Sequence, residues 1–276
     1  MNWLNKLLLF FAIILVIFYS LAPFAWQVTT SLKPRLEVME APPTYVPTEV
    51  SIENYTEIFE TRPFLTYIIN SLIVAAGATI LALVTGAPAA YALSRLKIRG
   101  SCLILKLFLI GALFPHIVYL LPIRELVKTF GLMNNYLSLI VPYAALNLPL
   151  VVWLLYSFFK QLPKDIEEAA LVDGFSRSGI LTKIIIPVSA PALATTAILV
   201  FIFAWNEFLF ALTFMTRDEF RTVPVGIAML QGATIYEIPW GQISAAVVLT
   251  TLPVVVMVLF LQRRIVQGLT AGTVKG

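Results

Sequence analysis

Charge is what this sequence has least of. Asp, Glu, Lys and Arg make up 12% of its 276 residues, about half the share of an ordinary soluble domain. So few charges cannot clothe a water-exposed surface of this size. Hydrophobic residues reach 59%, with a mean hydropathy of +0.90, so most of the chain must face lipid or apolar protein. Cysteine is nearly absent. Cys102 alone excludes an intrachain disulfide and argues against a cysteine-based metal cluster. The single histidine, His116 in Phe114-Pro115-His116-Ile117, reads as a helix-end residue with a backbone partner rather than as a ligand. No phosphate loop, metal-ligand spacing or other catalytic constellation is visible, so no enzyme is expected. The net charge of +4 would by itself suit a nucleic acid or a membrane surface. In so apolar a chain, where the charges lie matters more than their sum, and no nucleic-acid partner is expected.

A helix that spans a bilayer needs about 20 mostly apolar residues. Candidate spans are Leu7–Trp26, Phe64–Leu93, Leu107–Leu121, Leu137–Phe159, Val188–Met215 and Ile243–Leu261. The first is longer than the apolar core of a secretory signal and reads as a retained anchor. The third is short and carries Pro115. The runs lack the period-two alternation of barrel strands, and an open sheet edge is not viable in lipid. The expected fold class is therefore all-α: a polytopic membrane protein with about six transmembrane helices. No internal repeat or linker is evident, so one domain over residues 1–276 is the simplest organisation.

Basic loop residues mark the cytoplasmic side of a membrane protein. With six spans and both ends on one side, that side holds 12 of the 19 Lys and Arg residues, among them Lys6, Arg95, Lys97, Arg99, Lys160, Lys164, Arg263 and Lys275. It carries only four acids, Asp165, Glu167, Glu168 and Asp173, whereas the other side carries ten and Glu207 lies within a span. Both termini are expected in the cytoplasm. Two outer segments are long: Gln27–Pro63, interrupted by Pro42, Pro43 and Pro47, and Thr216–Gln242, which contains Gln231-Gly232.

The informative inner segment is Lys160–Pro187. Pro163 is compatible with the first position of a helix. Asp165, Glu167 and Glu168 then fall where the helix dipole favours acids. Gly174 can turn left-handed and stop that helix, and Ser176 can cap a second one. The expected product is two short helices joined by a sharp bend.

The spacing there is Glu168-Ala169-Ala170, three residues, Gly174, nine residues, Ile184, one residue, Ile186-Pro187. It resembles the EAA loop of the permeases of ATP-binding-cassette (ABC) importers, with Ile186 where Leu is usual. Asp173 resembles the aspartate common in sugar permeases. Tyr91-Ala92-Leu93-Ser94-Arg95, Leu148-Pro149, Phe203-Ala204-Trp205-Asn206-Glu207 and Gln262-Arg263-Arg264 look like the maltose-type sugar permeases. The ending Gly268–Gly276 is similar to the tail of their second permease subunit, which lacks the large periplasmic insertion. Glu207 departs from the family's usual Asp.

The resemblance implies an ATP-driven importer of a sugar, such as the disaccharides trehalose or maltose, in a bacterial or archaeal cell membrane. Loop 160–187 would be a cytoplasmic coupling helix that docks on an ATPase, with Glu168, Ala169, Ala170, Asp173 and Gly174 at the contact. Tail 262–276 would reach the ATPase interface. The implied partners are a homologous second permease, two ATPase subunits, an external sugar-binding protein, the sugar and membrane lipid. ATP and Mg would be held by the ATPase, with no cofactor on this chain. The outer loop would enter the binding protein's cleft, with Gln231 and Gly232 at its tip.

Polar groups within spans are functional candidates by default. Asn206 offers bonds to sugar hydroxyls and Trp205 a stacking face. Glu207 suits either the substrate path or an interhelical bond, and Tyr143, Asn147 and Asn70 are weaker cavity candidates. Alternatives are an ABC permease for another solute such as glycerol phosphate, an intramembrane enzyme, or a secondary transporter. An enzyme needs ionisable groups clustered at one membrane depth. A secondary transporter usually shows inverted repeats.

Overall fold

The computed structural model describes residues 3–96, 98–230 and 238–273, with side chains through residue 262. All regular structure among the described residues is helical. In chain order the helices are α1 (Trp3–Ser31), α2 (Arg35–Val38), α3 (Glu53–Thr61), α4 (Phe64–Arg95), α5 (Ser101–Ala112), α6 (Ile117–Thr129) and α7 (Leu137–Gln161). There follow α8 (Asp165–Val172), α9 (Arg177–Ile180), a π-turn (Leu181–Ile185), α10 (Ile186–Val188), α11 (Ala190–Asn206), α12 (Leu209–Phe214), a 3₁₀ turn (Asp218–Phe220), α13 (Val223–Ala228) and α14 (Trp240–Thr273).

Among the described residues, four helices are long and apolar enough to cross a membrane: α1, α4, α7 and α14 as far as Gln262. Two bent pairs raise the number to six if each is one span. Two expected spans are not single rods. Leu107–Leu121 straddles a 93° bend between α5 and α6. Pro115 lies in that break; it has no N–H to give and disfavours helix in the residue before it. Val188–Met215 is interrupted after Asn206, where Glu207 is extended and α12 begins two residues later. A second bend, of 81°, separates Arg177–Val188 from α11.

The chain divides into two compact units, Met1–Leu65 with Gly226–Pro253, and Thr66–Val225 with Val254–Gly276. In the first, Asn54 Nδ2 donates to the carbonyls of Ser31 and Lys33, at 3.0 and 2.9 Å, and ties α3 to the end of α1. Gly241 packs so tightly on Asn54 that a Cβ there would lie 2.3 Å from Asn54 Oδ1. The proline-rich stretch after α2 is irregular yet anchored. Glu37, 5% exposed, accepts bonds from Thr44 Oγ1 (2.6 Å), Thr48 Oγ1 (2.8 Å) and the Thr48 amide (3.1 Å).

The Thr44 hydroxyl holds the Glu37 carboxyl below its ordinary pKa, helped by Thr48 and opposed by burial. A depressed carboxylate pKa stabilises above the ordinary range and loses that contribution as pH falls through the lowered value. Acidification is therefore expected to open residues 39–51 to protease, and Glu37→Gln to open them already at neutral pH. Limited proteolysis across a pH series checks both.

The second unit is built on α4, α7 and α11. Gly86 lets α4 approach α7, since a Cβ there would meet Val151 Cγ1 at 2.4 Å. Leu155, Phe159, Ile180 and Ile185 are fully or almost fully buried. They carry the inner segment on the same core as the spans.

Candidate functional site

The inner segment folds as two helices about a glycine. Lys164 is the residue before α8, so Pro163 lies ahead of the first helical position rather than in it. Asp165, Glu167 and Glu168 occupy the first turn. Gly174 has φ +83°, a conformation that costs residues with a Cβ about 1–2 kcal/mol. Its amide donates to Leu171 O, and the Phe175 amide donates to Ala170 O, closing the helix end. Ser176 Oγ then accepts from the Gly179 amide at 3.2 Å and caps α9.

The faces of α8 are unlike. Ile166, Glu168, Ala169, Leu171, Val172 and Asp173 are exposed, Val172 at 88%. Glu167 and Ala170, three residues apart, are buried. This corrects one expectation: Ala170 is small because it packs into the chain's own core, and of the two alanines only Ala169 is available to a partner.

Glu167 was explicable from sequence only as a helix-start acid. It is in fact the centre of a buried polar cluster. Glu167 Oε1 lies 3.0 Å from Arg95 Nε, with the two side chains 8% and 4% exposed. The pair is in ionic contact without hydrogen-bond alignment. Tyr91 donates to Glu167 Oε2 at 3.3 Å, and Arg177 stands 4.0 Å away. Arg95 Nη2 also donates to Leu162 O at 2.6 Å and to Phe159 O. Both carbonyls lie at the end of α7, where helix geometry leaves acceptors open; Phe159 O also accepts from the Leu162 amide at 3.2 Å.

At the break after α11, Glu207 meets Tyr143 of α7. The Tyr143 hydroxyl donates to Glu207 Oε2. The carboxylate also accepts from the Phe210 amide at 3.1 Å and the Ala211 amide at 3.3 Å. It therefore caps α12 across the break, using the helix's positive end. Asn147 Nδ2 donates to Tyr143 O at 2.8 Å, and exposed Asn206 donates to Ile202 O at 2.8 Å. Trp205 departs from the expected stacking role: it is 4% exposed and already lies parallel to Phe201, 5.7 Å between centroids. The His116 ring meets Phe203 edge-on at 5.2 Å; the backbone partner is at its carbonyl, which accepts from the Tyr119 amide.

Glu207→Ala should cost about 0.5–2 kcal/mol for the lost cap, plus about 1–3 kcal/mol for a buried Tyr143 hydroxyl without an acceptor. Adding Tyr143→Phe to Glu207→Ala should restore part of that loss, because it removes the hydroxyl left without an acceptor. Thermal unfolding in detergent of the two single variants and the double one tests this.

At the other end of α4, Asn70 is a structural brace rather than a cavity group. Its Nδ2 donates to Glu219 O and Arg221 O, and its Oδ1 accepts from Tyr136. Tyr67 donates to Asp218, and Ser71 accepts from the Val223 amide. The start of the outer loop is thus stitched to α4. The proposed tip residues Gln231 and Gly232 lie outside the described residues, as do the side chains of tail 263–276.

Residues 82–271, which include the whole inner segment, match the family described as "Binding-protein-dependent transport system inner membrane component". The chain belongs to this family. It is 44% identical to the trehalose/maltose transport system permease protein MalG of Thermococcus litoralis, covering 99% of this chain and 98% of that one. It is 40% identical to the sulfoquinovosyl glycerol permease SmoH of Agrobacterium fabrum (99% and 95% covered) and to the trehalose permease SugB of Mycobacterium tuberculosis (95% of each). Among solved structures, a chain of a bacterial ABC transporter involved in alginate import superposes with a TM-score of 0.78, at 22% identity, over 95% of this chain and 98% of that one. The fold is that of an ABC importer permease. The chain is accordingly a multi-pass transport subunit.

Proposed function

We propose that this chain is the second permease subunit of an importer that carries a disaccharide such as trehalose or maltose, received from an external binding protein. Supporting the sugar class, two of the full-length relatives are named for trehalose. The mechanical reading rests on one observation: the exposed face of α8, with Ile166, Ala169 and Val172 at helical spacing beside Glu168 and Asp173, ends at a glycine that only a left-handed turn fits. Such a face suits a groove on a partner. ATP and Mg are held by the two ATPase subunits, and this chain needs no cofactor. Closure of the ATPase pair displaces α8, and the packed helices turn as bodies, exposing the sugar path to each side in turn. Both termini, α8 and the tail are cytoplasmic, in keeping with the basic loops. Tyr143, Asn147, Asn206 and Glu207 border the break between α11 and α12. There only Asn206 is freely exposed, and the homologous partner permease supplies the remaining sugar contacts.

Affinity purification of the tagged chain from its native membrane tests the assembly. An ATPase, a homologous partner permease and no further integral subunit are expected. A chain that purifies alone and binds no ATPase would sink the reading.

A further inference from the structure

We propose that Arg95 and Glu167 form a latch that makes α8 move as one body with the inner ends of α4 and α7; this rests on the coupling reading above. Between Leu162 and Lys164, α7 runs into α8 through an extended residue, Leu162 with ψ 142°. Such a link holds the two helices together without setting their angle. No covalent link of this kind joins α8 to α4. Above their shared apolar core, one guanidinium makes polar contact with all three. Arg95 ends α4, donates to the last carbonyls of α7, and faces the first-turn acid of α8 at 3.0 Å. Tyr91, one turn back along α4, holds the second carboxylate oxygen.

Each charge sits where a helix dipole favours it, the guanidinium at a C-terminal end and the carboxylate at an N-terminal one. Phe159, Ala170, Ile180 and Leu181 belong to the core that encloses the pair. Water is thereby excluded, and salt screens the attraction little. The planar fork of arginine meets carbonyls and carboxylate together in a fixed geometry, which the compact point charge of an ammonium does not reproduce. Loss of Glu167 leaves the buried Arg95 guanidinium with carbonyls alone, and loss of Arg95 leaves Glu167 to Tyr91 and to the half-exposed Arg177 at 4.0 Å. Arg95 and Glu167 are thus positioning residues for the power stroke. They touch neither sugar nor nucleotide.

The test uses the complete transporter in lipid vesicles, with Cys102→Ser and spin labels at Val84→Cys on α4 and Asp165→Cys on α8, both exposed positions. Distances between the labels are measured without nucleotide and with ATP plus vanadate. In the otherwise native protein the distance should stay narrow and unchanged while ATP-driven trehalose uptake proceeds. Glu167→Gln, which keeps the side chain's size, should broaden or shift it on ATP binding and lower trehalose carried per ATP at least tenfold. Arg95→Lys is the second variant, should the first not assemble, and should do the same. A purely structural pair would lower uptake and hydrolysis together, with the distance still narrow, and that result overturns the latch. A native distance that already changes with ATP also overturns it. Uptake by the native complex without any ATPase would instead overturn the coupling reading, and the latch with it.

Discussion

Gly174→Val is expected to cut ATP-driven uptake at least tenfold while the protein still inserts and its spans stay packed. Nothing lies within 4 Å of a Cβ built at Gly174, so the change meets no clash. The obstacle is the backbone. At φ +83° a β-branched residue is a genuine outlier, and the strain of about 1–2 kcal/mol or more falls on the turn that ends α8. A shift of about 1.4 kcal/mol is a factor of ten in population. The turn therefore relaxes, and the docking face is presented at a wrong angle. Gly174→Asn is the control, since Asn visits the left-handed region, and it should keep most of the uptake. Transport assays on the two variants decide. Equal activity of Val and Asn would show that the turn does not carry the stroke.

Val172→Lys should remove the ATPase from the complex, or weaken its binding by about thirtyfold or more. Val172 is 88% exposed at the last position of α8. A lysine there suits the negative end of the helix dipole, so folding is not at stake. In a partner's groove the same ammonium loses its water without gaining a partner, and central contacts of this kind carry about 2 kcal/mol or more. The amount of ATPase that co-elutes with the tagged variant measures the effect. Undiminished co-elution would place the docking face elsewhere.

The long apolar runs made α1, α4, α7 and α14 legible, because about 20 apolar residues in sequence have few other uses. Gly174 and Ser176 were legible too, since their roles are local and set by residue type. The break at Glu207 was not. No glycine or proline marks Asn206-Glu207-Phe208, and the hydropathy runs straight through. The break is held by a carboxylate that caps α12 and binds Tyr143 from another helix, a contact between residues far apart in the chain. The same distance hid Arg95 and Glu167. Glu167 and Ala170, three residues apart, share one face of a helix, but nothing in residue type marks that face of α8 as the buried one. For Trp205, residue type misled, because an aromatic that is free to stack in sequence is already stacked on Phe201 in the fold.

The central claim is that this chain passes sugar only when a partner ATPase drives it. The most direct measurement is accumulation of radiolabelled trehalose in vesicles holding the complete complex and its binding protein, with ATP supplied on the side of α8. Accumulation that requires both ATP and the binding protein, and that is lost in Gly174→Val, is the expected result. Uptake that proceeds without ATP, or ATP hydrolysis that never moves trehalose, maltose or any other glycoside, would contradict the account; uptake of glycerol phosphate instead would contradict its sugar assignment.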